Sequence, residues 1–132
     1  MKIIDKLAWI EIQNKSILST KSYGKDKYYI PGGKRESGES DAEALIREIQ
    51  EELQVDLIPD SLQFIGTFEA QAHSHPEGTL VKMTCYSAEY DGELNADSEI
   101  EEIRWLHYAD KEIISEVDKL IFDYLHQQGL LD

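Results

Sequence analysis

Five charged side chains, Glu39, Arg47, Glu48, Glu51 and Glu52, stand at offsets that could do chemistry together. Residues three and four apart share one face of a helix, so Glu48, Glu51 and Glu52 are expected to converge. Three like charges this close repel one another and destabilise the helix that carries them. A hard cation among them removes that repulsion, and carboxylate oxygens are the ligands Mg²⁺ prefers. Gly33 opens the pattern, so a close backbone approach precedes the acidic helix. A solvated acidic face would also carry three glutamates in so acidic a chain. The fixed register of Gly33, Glu39 and Arg47 with them argues against that plainer reading.

The elements around the cluster are those needed to hold it. Residues 6–13 and 16–22 read as two strands around an Asn14-Lys15 turn, a hairpin. Tyr28, Tyr29 and Ile30 read as a short strand stopped by Pro31, and Gly32 and Gly33 let the backbone turn. A helix is expected from Ser40, which forms a capping box with Glu43. Its apolar stripe is Ala42, Leu45, Ile46, Ile49 and Leu53, with the glutamates to one side. Residues 62–72 and 79–90 read as a long antiparallel pair, and residues 102–106 as a last strand. From residue 110 onward Ile113, Val117, Leu120, Ile121, Tyr124 and Leu125 repeat at helical spacing. The order β-β-β-α-β-β-β-α suggests an α/β fold, a mixed sheet between helices.

The chain of 132 residues has the length of one domain. Its net charge of -14 argues against a general nucleic-acid or anionic-membrane binder, because such affinity comes largely from Lys and Arg. Small phosphorylated substrates stay open, since a divalent metal can supply the positive charge. The single cysteine, Cys85, lies in an apolar stretch and reads as a buried, inert thiol. Asp5, Lys6 and Glu11 interrupt the apolar N-terminal residues, so no signal peptide is read there. No run of 18 apolar residues occurs, so no membrane-spanning helix is expected. A cytoplasmic setting follows as an expectation.

The pattern from Gly33 to Val55 resembles the Nudix box, G-x5-E-x7-R-E-U-x-E-E-x-G-U, with U bulky and apolar. Gly33, Glu39, Arg47, Glu48, Ile49, Glu51, Glu52 and Val55 stand at the expected places, and Gln54 replaces the second Gly. The resemblance to the Nudix (MutT-like) superfamily implies a single α/β/α sandwich domain over residues 1–132. It implies a metal-dependent pyrophosphohydrolase that cleaves a nucleoside diphosphate linked to another group X. Glu48, Glu51 and Glu52 would hold Mg²⁺ or Mn²⁺, Glu52 foremost, with the Gly33 carbonyl as a further ligand. Arg47 would orient a box carboxylate, and Glu39 would support the loop or serve the positive end of the helix.

Several assignments stay open at this level. Family members take the general base from the box or from a later loop; Glu99 is the leading later candidate, then Glu102, against a solvated charge run. Lys21, Lys25, Lys27, Lys34 and Arg35 crowd the approach to the box. They either clamp phosphates, Lys34 and Arg35 first, or balance the box glutamates. His73 and His75 read as solvated loop residues rather than metal ligands. The partner implied is a small nucleotide, foremost a nucleoside triphosphate, including an oxidised one such as 8-oxo-dGTP. A Pro that marks ADP-ribose hydrolases is Glu69-Ala70 here, and a Tyr that marks diadenosine-polyphosphate hydrolases is Gln71. Neither stable nucleic-acid binding nor a membrane partner is expected, and a homodimer stays open. The rival is a catalytically inactive Nudix-fold binding or sensor module, although such modules usually lack a box carboxylate and this chain keeps all of them. Gln54 is expected in the left-handed conformation that a helix-ending Gly favours, so Gln54→Gly is expected to stabilise.

Overall fold

Alternation along the first strand decides the layering. The computed structural model describes residues 2–72 and 75–132, and β1 spans Lys2–Trp9. Successive strand side chains point to opposite faces, so Ile4 and Ala8 go to one side and Leu7 and Trp9 to the other. All four are buried, so both faces of this strand need a cover. Helix α2 (Glu116–Gln127) supplies one, through Val117, Ile121, Phe122 and Leu125. Helix α1 (Asp41–Leu53) supplies the other, through Ala44, Leu45, Ile49 and Leu53. The result is the α/β/α sandwich expected from the sequence.

The sheet is mixed. β1 runs parallel to β7 (Thr79–Ser87) over its whole length, from Lys2 opposite Thr79 to Trp9 opposite Tyr86. β4 (Gly32–Gly33) and β6 (Gln63–Gln71) complete the order β4-β1-β7-β6, each antiparallel to its neighbour. A second sheet holds β2 (Ile12–Gln13), β3 (Ser16–Ser22) and β9 (Ile100–Leu106). β5 (Asp56–Leu57) and β8 (Tyr90–Asp91) form a small ribbon.

Three local expectations are corrected. Residues 6–13 are not one strand of a long hairpin. β1 is committed to β7, and the turn at Asn14 and Lys15, both at positive φ, joins just two paired positions on each side. Tyr28 to Ile30 makes isolated bridges to Thr20 and Ile114, and the strand pairing falls on Gly32 and Gly33 instead. Gly32 sits there at φ +152°, and a Cβ would lie 2.0 Å from the Leu7 carbonyl oxygen. The C-terminal helix begins at Glu116, after a 3₁₀ segment over residues 108–113. Phe122 and Asp118 occupy its buried face, while Leu120 is exposed.

Helix α1 has both ends fixed by side chains. At its start the Glu43 N–H donates to Ser40 Oγ (3.2 Å), and the Ser40 N–H donates to Glu43 Oε1 (2.9 Å). At its end Gln54 is left-handed, φ 62° and ψ 25°, as expected. Its side chain is not idle: Gln54 Nε2 donates to Asp97 Oδ2 (3.0 Å). Gly at this position would relieve about 1–2 kcal/mol of left-handed strain. It would also add about 0.4–1 kcal/mol of unfolded-chain entropy and forfeit a hydrogen bond of about 0.5–1.5 kcal/mol. The gain expected from sequence is therefore cancelled. In denaturant unfolding, Gln54→Gly should lie within about 0.5 kcal/mol of wild type. Gln54→Ala keeps the strain and loses the bond, so it should be about 0.5–1.5 kcal/mol less stable. A Gly variant clearly more stable than wild type would show that the bond contributes nothing.

Candidate active site

Helix geometry divides the three box glutamates. At 100° per residue, Glu52 falls almost under Leu45, two turns earlier on the buried stripe. The structure puts Glu52 at 7% exposure beside Ile49 and Leu53, not to one side of the stripe. Ala44 takes the stripe position expected of Ala42. Glu48 is half-buried, and Glu51 is half-exposed. Glu48 and Glu52 line the cleft, while Glu51 stands beside Glu48 on the Arg47 side.

Arg47 is the hub of the loop that precedes the helix. Its Nε and Nη2 donate to the two Glu39 oxygens at 2.8 and 2.9 Å, and Nη2 also donates to the Lys34 carbonyl (3.1 Å). The Glu36 N–H closes the loop on Glu39 Oε1 (2.7 Å). These bonds hold the Glu39 carboxyl at about 2, the Arg47 guanidinium being the chief cause. Arg47 Nη1 donates to Glu48 Oε1 (2.9 Å) and lies 3.6 Å from Glu51. Gly33 lies directly under Glu48, where an added Cβ would meet Glu48 Oε2 at 2.3 Å. Any side chain at this position would push the Glu48 carboxylate from where it lies.

Glu52 is in a different position. Its one hydrogen bond from the backbone comes from the Gly32 N–H at 3.3 Å. No Lys or Arg pairs with it among the described residues. Burial, then the charges of Glu99 and Glu48, push its carboxyl up to about 9. Burial likewise raises Glu48, against the pull of Arg47. Such a site disfavours negative charge unless a cation arrives. Among the described residues no three side chains already enclose a point as metal ligands would. Arg47 draws Glu48 and Glu51 toward itself in this state. The donors are nonetheless hard oxygens, one of them buried and without a cationic partner, and they suit a hard divalent ion.

Glu99 reaches the same place from the loop before β9. It lines a cleft of about 620 Å³ together with Gly33, Glu48 and Glu52. Glu102 is not in the cleft wall. The basic window is split up by the fold. Lys21 pairs with Glu101, and Lys27 donates to the Glu112 carbonyl. Arg35, expected with Lys34 at the substrate, donates instead to Asp41 (2.6 Å) and Asp5 (2.9 Å) and braces the loop. Lys25 and Lys34 do line the cleft.

Two residues that sequence reading missed lie in or beneath that wall. Lys6 projects into the cleft from β1, between Ile4 and Ala8, and burial lowers its pKa, with Lys34 adding repulsion. Asp118 of α2 is fully buried; Oδ2 accepts the Ile30 N–H (3.0 Å), Oδ1 has no hydrogen-bond partner among the described residues, and Ser115 and Lys6 lie near enough to favour the charged form. Burial pushes its carboxyl up to about 7. The available signal was a charge inside an apolar period: Asp118 lies four residues after Ile114 and four before Phe122. His75 lines the cleft, while His73 lies outside the described residues.

Comparison with known proteins shows the family and the fold. A family model described as the NUDIX domain matches residues 7–123. An uncharacterized Nudix hydrolase, YvcI of Bacillus subtilis (strain 168), is 32% identical over 107 residues, covering 79% of this chain and 68% of the relative. Among solved structures, a MutT protein from Methanosarcina mazei Go1 matches with TM-score 0.78 and 16% identity, over 97% of this chain and 96% of that one. A MutT NUDIX hydrolase from Burkholderia pseudomallei matches with TM-score 0.77 and 18% identity, over 93% and 98%. At these identities the structural matches speak for the fold.

Asp118 makes stability depend on pH with a defined sign. Its folded pKa, about 7, lies above the ordinary value of 3.8, so the folded state favours the neutral acid. The stability it contributes is present below pH 3.8 and is lost as pH rises through about 7. Asp118→Asn keeps an acceptor for the Ile30 N–H and removes the titration. Between pH 5 and pH 8 the variant should gain on wild type by on the order of 2 kcal/mol in denaturant unfolding. A difference that stays constant over that range would contradict the assignment.

Proposed function

The chain belongs to the Nudix hydrolase family, and from that premise we propose that it is a Mg²⁺-dependent pyrophosphohydrolase of nucleoside diphosphates linked to a group X. The favoured substrate is a nucleoside triphosphate, oxidised forms such as 8-oxo-dGTP included. Mn²⁺ is the alternative ion. Nudix hydrolases generally use divalent metal ions and act on small nucleotides. One observation carries the reading: Glu52 is a buried carboxyl beside Glu48 and Glu99, without an ion-pair partner among the described residues, in the wall of a cleft that also holds Lys6, Lys25 and Lys34. A cytoplasmic setting belongs to the same proposal, and no helix among the described residues is long and apolar enough to cross a membrane.

The residues divide the work. Glu52 and Glu48, with the Gly33 carbonyl beneath them, would hold the ion; Glu51, turned toward Arg47, would join on rotation. When bound, the ion supplies positive charge against the phosphate oxygens and polarises the phosphorus centre. Arg47 orients Glu48 and fixes the loop through Glu39. Lys34, Lys25 and Lys6 offer ammonium groups to the substrate's phosphate oxygens. Water attacks phosphorus, the bridging P–O bond breaks, and the leaving phosphate departs with the electron pair. Glu99 accepts the proton that the water gives up. The products are a nucleoside monophosphate and X-phosphate, the latter pyrophosphate when the substrate is a triphosphate.

A nucleotide panel tests the reading: dNTPs, oxidised dNTPs, ADP-ribose, dinucleoside polyphosphates and sugar nucleotides, each with and without Mg²⁺. Turnover should appear with Mg²⁺ and be fastest on a triphosphate. Glu52→Gln should lower kcat by at least about 10²–10³ with the fold intact. Glu99→Gln should lower kcat by about 10²–10⁴ with little change in metal affinity. A large loss confined to Glu48→Gln would move the base into the box. No Mg²⁺-dependent turnover on any member of the panel would turn the reading toward a binding module.

A further inference from the structure

Gln54 departs from the Nudix pattern, and the departure is joined to the loop that carries Glu99. The last turn of α1 receives that loop directly. The Asn95 N–H donates to the Leu53 carbonyl (3.0 Å), and the Asp97 N–H donates to the Glu52 carbonyl (2.9 Å). Both carbonyls are among those a helix end leaves without intrahelical partners. Asp97 then starts a tight turn: the Ile100 N–H donates to the Asp97 carbonyl (3.0 Å), with Ser98 and Glu99 at its two central positions. Ser98 is left-handed there, at φ 52°.

A turn with a strained centre needs its corner held. The Asp97 side chain is gripped from two sides. Its Oδ1 accepts the Ser98 N–H (2.7 Å), and its Oδ2 accepts Gln54 Nε2 (3.0 Å). Glycine would suit the left-handed backbone at residue 54 better, but it has no amide to reach Asp97. The chain thus keeps a disfavoured conformation at a residue whose side chain spans to the turn. A non-glycine residue retained in such a conformation is a reason to look for what its side chain does.

We propose that Gln54 is a positioning residue for hydrolysis: through Asp97 it fixes the turn that aims the Glu99 carboxylate at the Glu48–Glu52 site. The inference rests on the reading of Glu99 as proton acceptor. Gln54 itself touches neither substrate nor ion. Its loss leaves the backbone bonds of the loop in place, including the one from the Tyr23 N–H to the Glu99 carbonyl (2.9 Å), so the turn stays docked while the Asp97 corner, and with it the aim of the Glu99 side chain, is held less closely.

The test uses the whole chain, Mg²⁺ and the panel's fastest nucleotide. Gln54→Gly removes the amide yet suits the backbone, so it separates aim from folding. It should lower kcat about 5- to 20-fold, leave KM within about twofold, and leave the unfolding midpoint near wild type. Gln54→Lys carries an ammonium that reaches Asp97, and it should return kcat to within about threefold of wild type. In a Glu99→Gln background, Gln54→Gly should change kcat by less than about twofold, because the group it aims is gone. Wild-type kcat in Gln54→Gly, alongside a large loss in Glu99→Gln, overturns the inference and spares the reading of Glu99. Losses that multiply in the double variant overturn it likewise. Wild-type kcat in Glu99→Gln removes the reading of Glu99 and the inference with it.

Discussion

A carboxylate is buried at the end of a helix, and much of the molecule is arranged around it. Glu52 occupies a core position of α1 between Ile49 and Leu53, two turns below Leu45. Removing an ionised carboxylate from water is costly unless it is paired. Here the nearest ionisable groups include two more carboxylates, Glu48 and Glu99. The burial is therefore not a contribution to the core. It is a standing deficit that, on the proposed function, a divalent cation would offset. The capping box fixes where α1 begins, and through 3.6 residues per turn it fixes where Glu52 points.

The acidic residues near this site fall into two sets. Arg47 is shared by Glu39, Glu48 and, at longer range, Glu51, so that set has a cationic partner within the protein. Glu52 and Glu99 have no such partner among the described residues. A uniform acidic face would hold a cation loosely and repel its substrate. The division instead leaves one buried acid that resists ionisation, in a cleft shared with lysines from β1 and from the loops. Lys6 belongs to this arrangement as much as the basic window does, because its strand lies next to β4 and the glycine loop.

What was legible in the sequence was local. The helix start at Ser40, the register of the box and the left-handed Gln54 depend on neighbours within a few residues, and all three stand. That Arg47 pairs with a carboxylate of the box came from the family resemblance. What was not legible depends on pairing between distant segments. β1 and β7 lie more than seventy residues apart, and their parallel pairing displaced the expected long hairpin. That pairing also sends Lys6 into the cleft and leaves Arg35 beside Asp5, which no spacing rule anticipates. Asp118 was hidden differently, as a charge read as a break in an apolar period. The Gln54 bond to Asp97 joins residues 43 positions apart, and it cancels the stability gain expected from the backbone alone.

The central claim is that Glu52 is a destabilising group made useful by a divalent ion. The direct measurement is denaturant unfolding of wild type and Glu52→Gln, each in chelator and in millimolar Mg²⁺. Ligand that binds the folded state alone adds RT ln(1 + [L]/Kd) to stability. In chelator at pH 8, Glu52→Gln should be the more stable protein, because an amide needs no counter-charge. In Mg²⁺ wild type should rise and the variant should stay still, so that the gap between them narrows or reverses. Equal stabilisation of both proteins by Mg²⁺, or a variant weaker than wild type in chelator, would contradict the account.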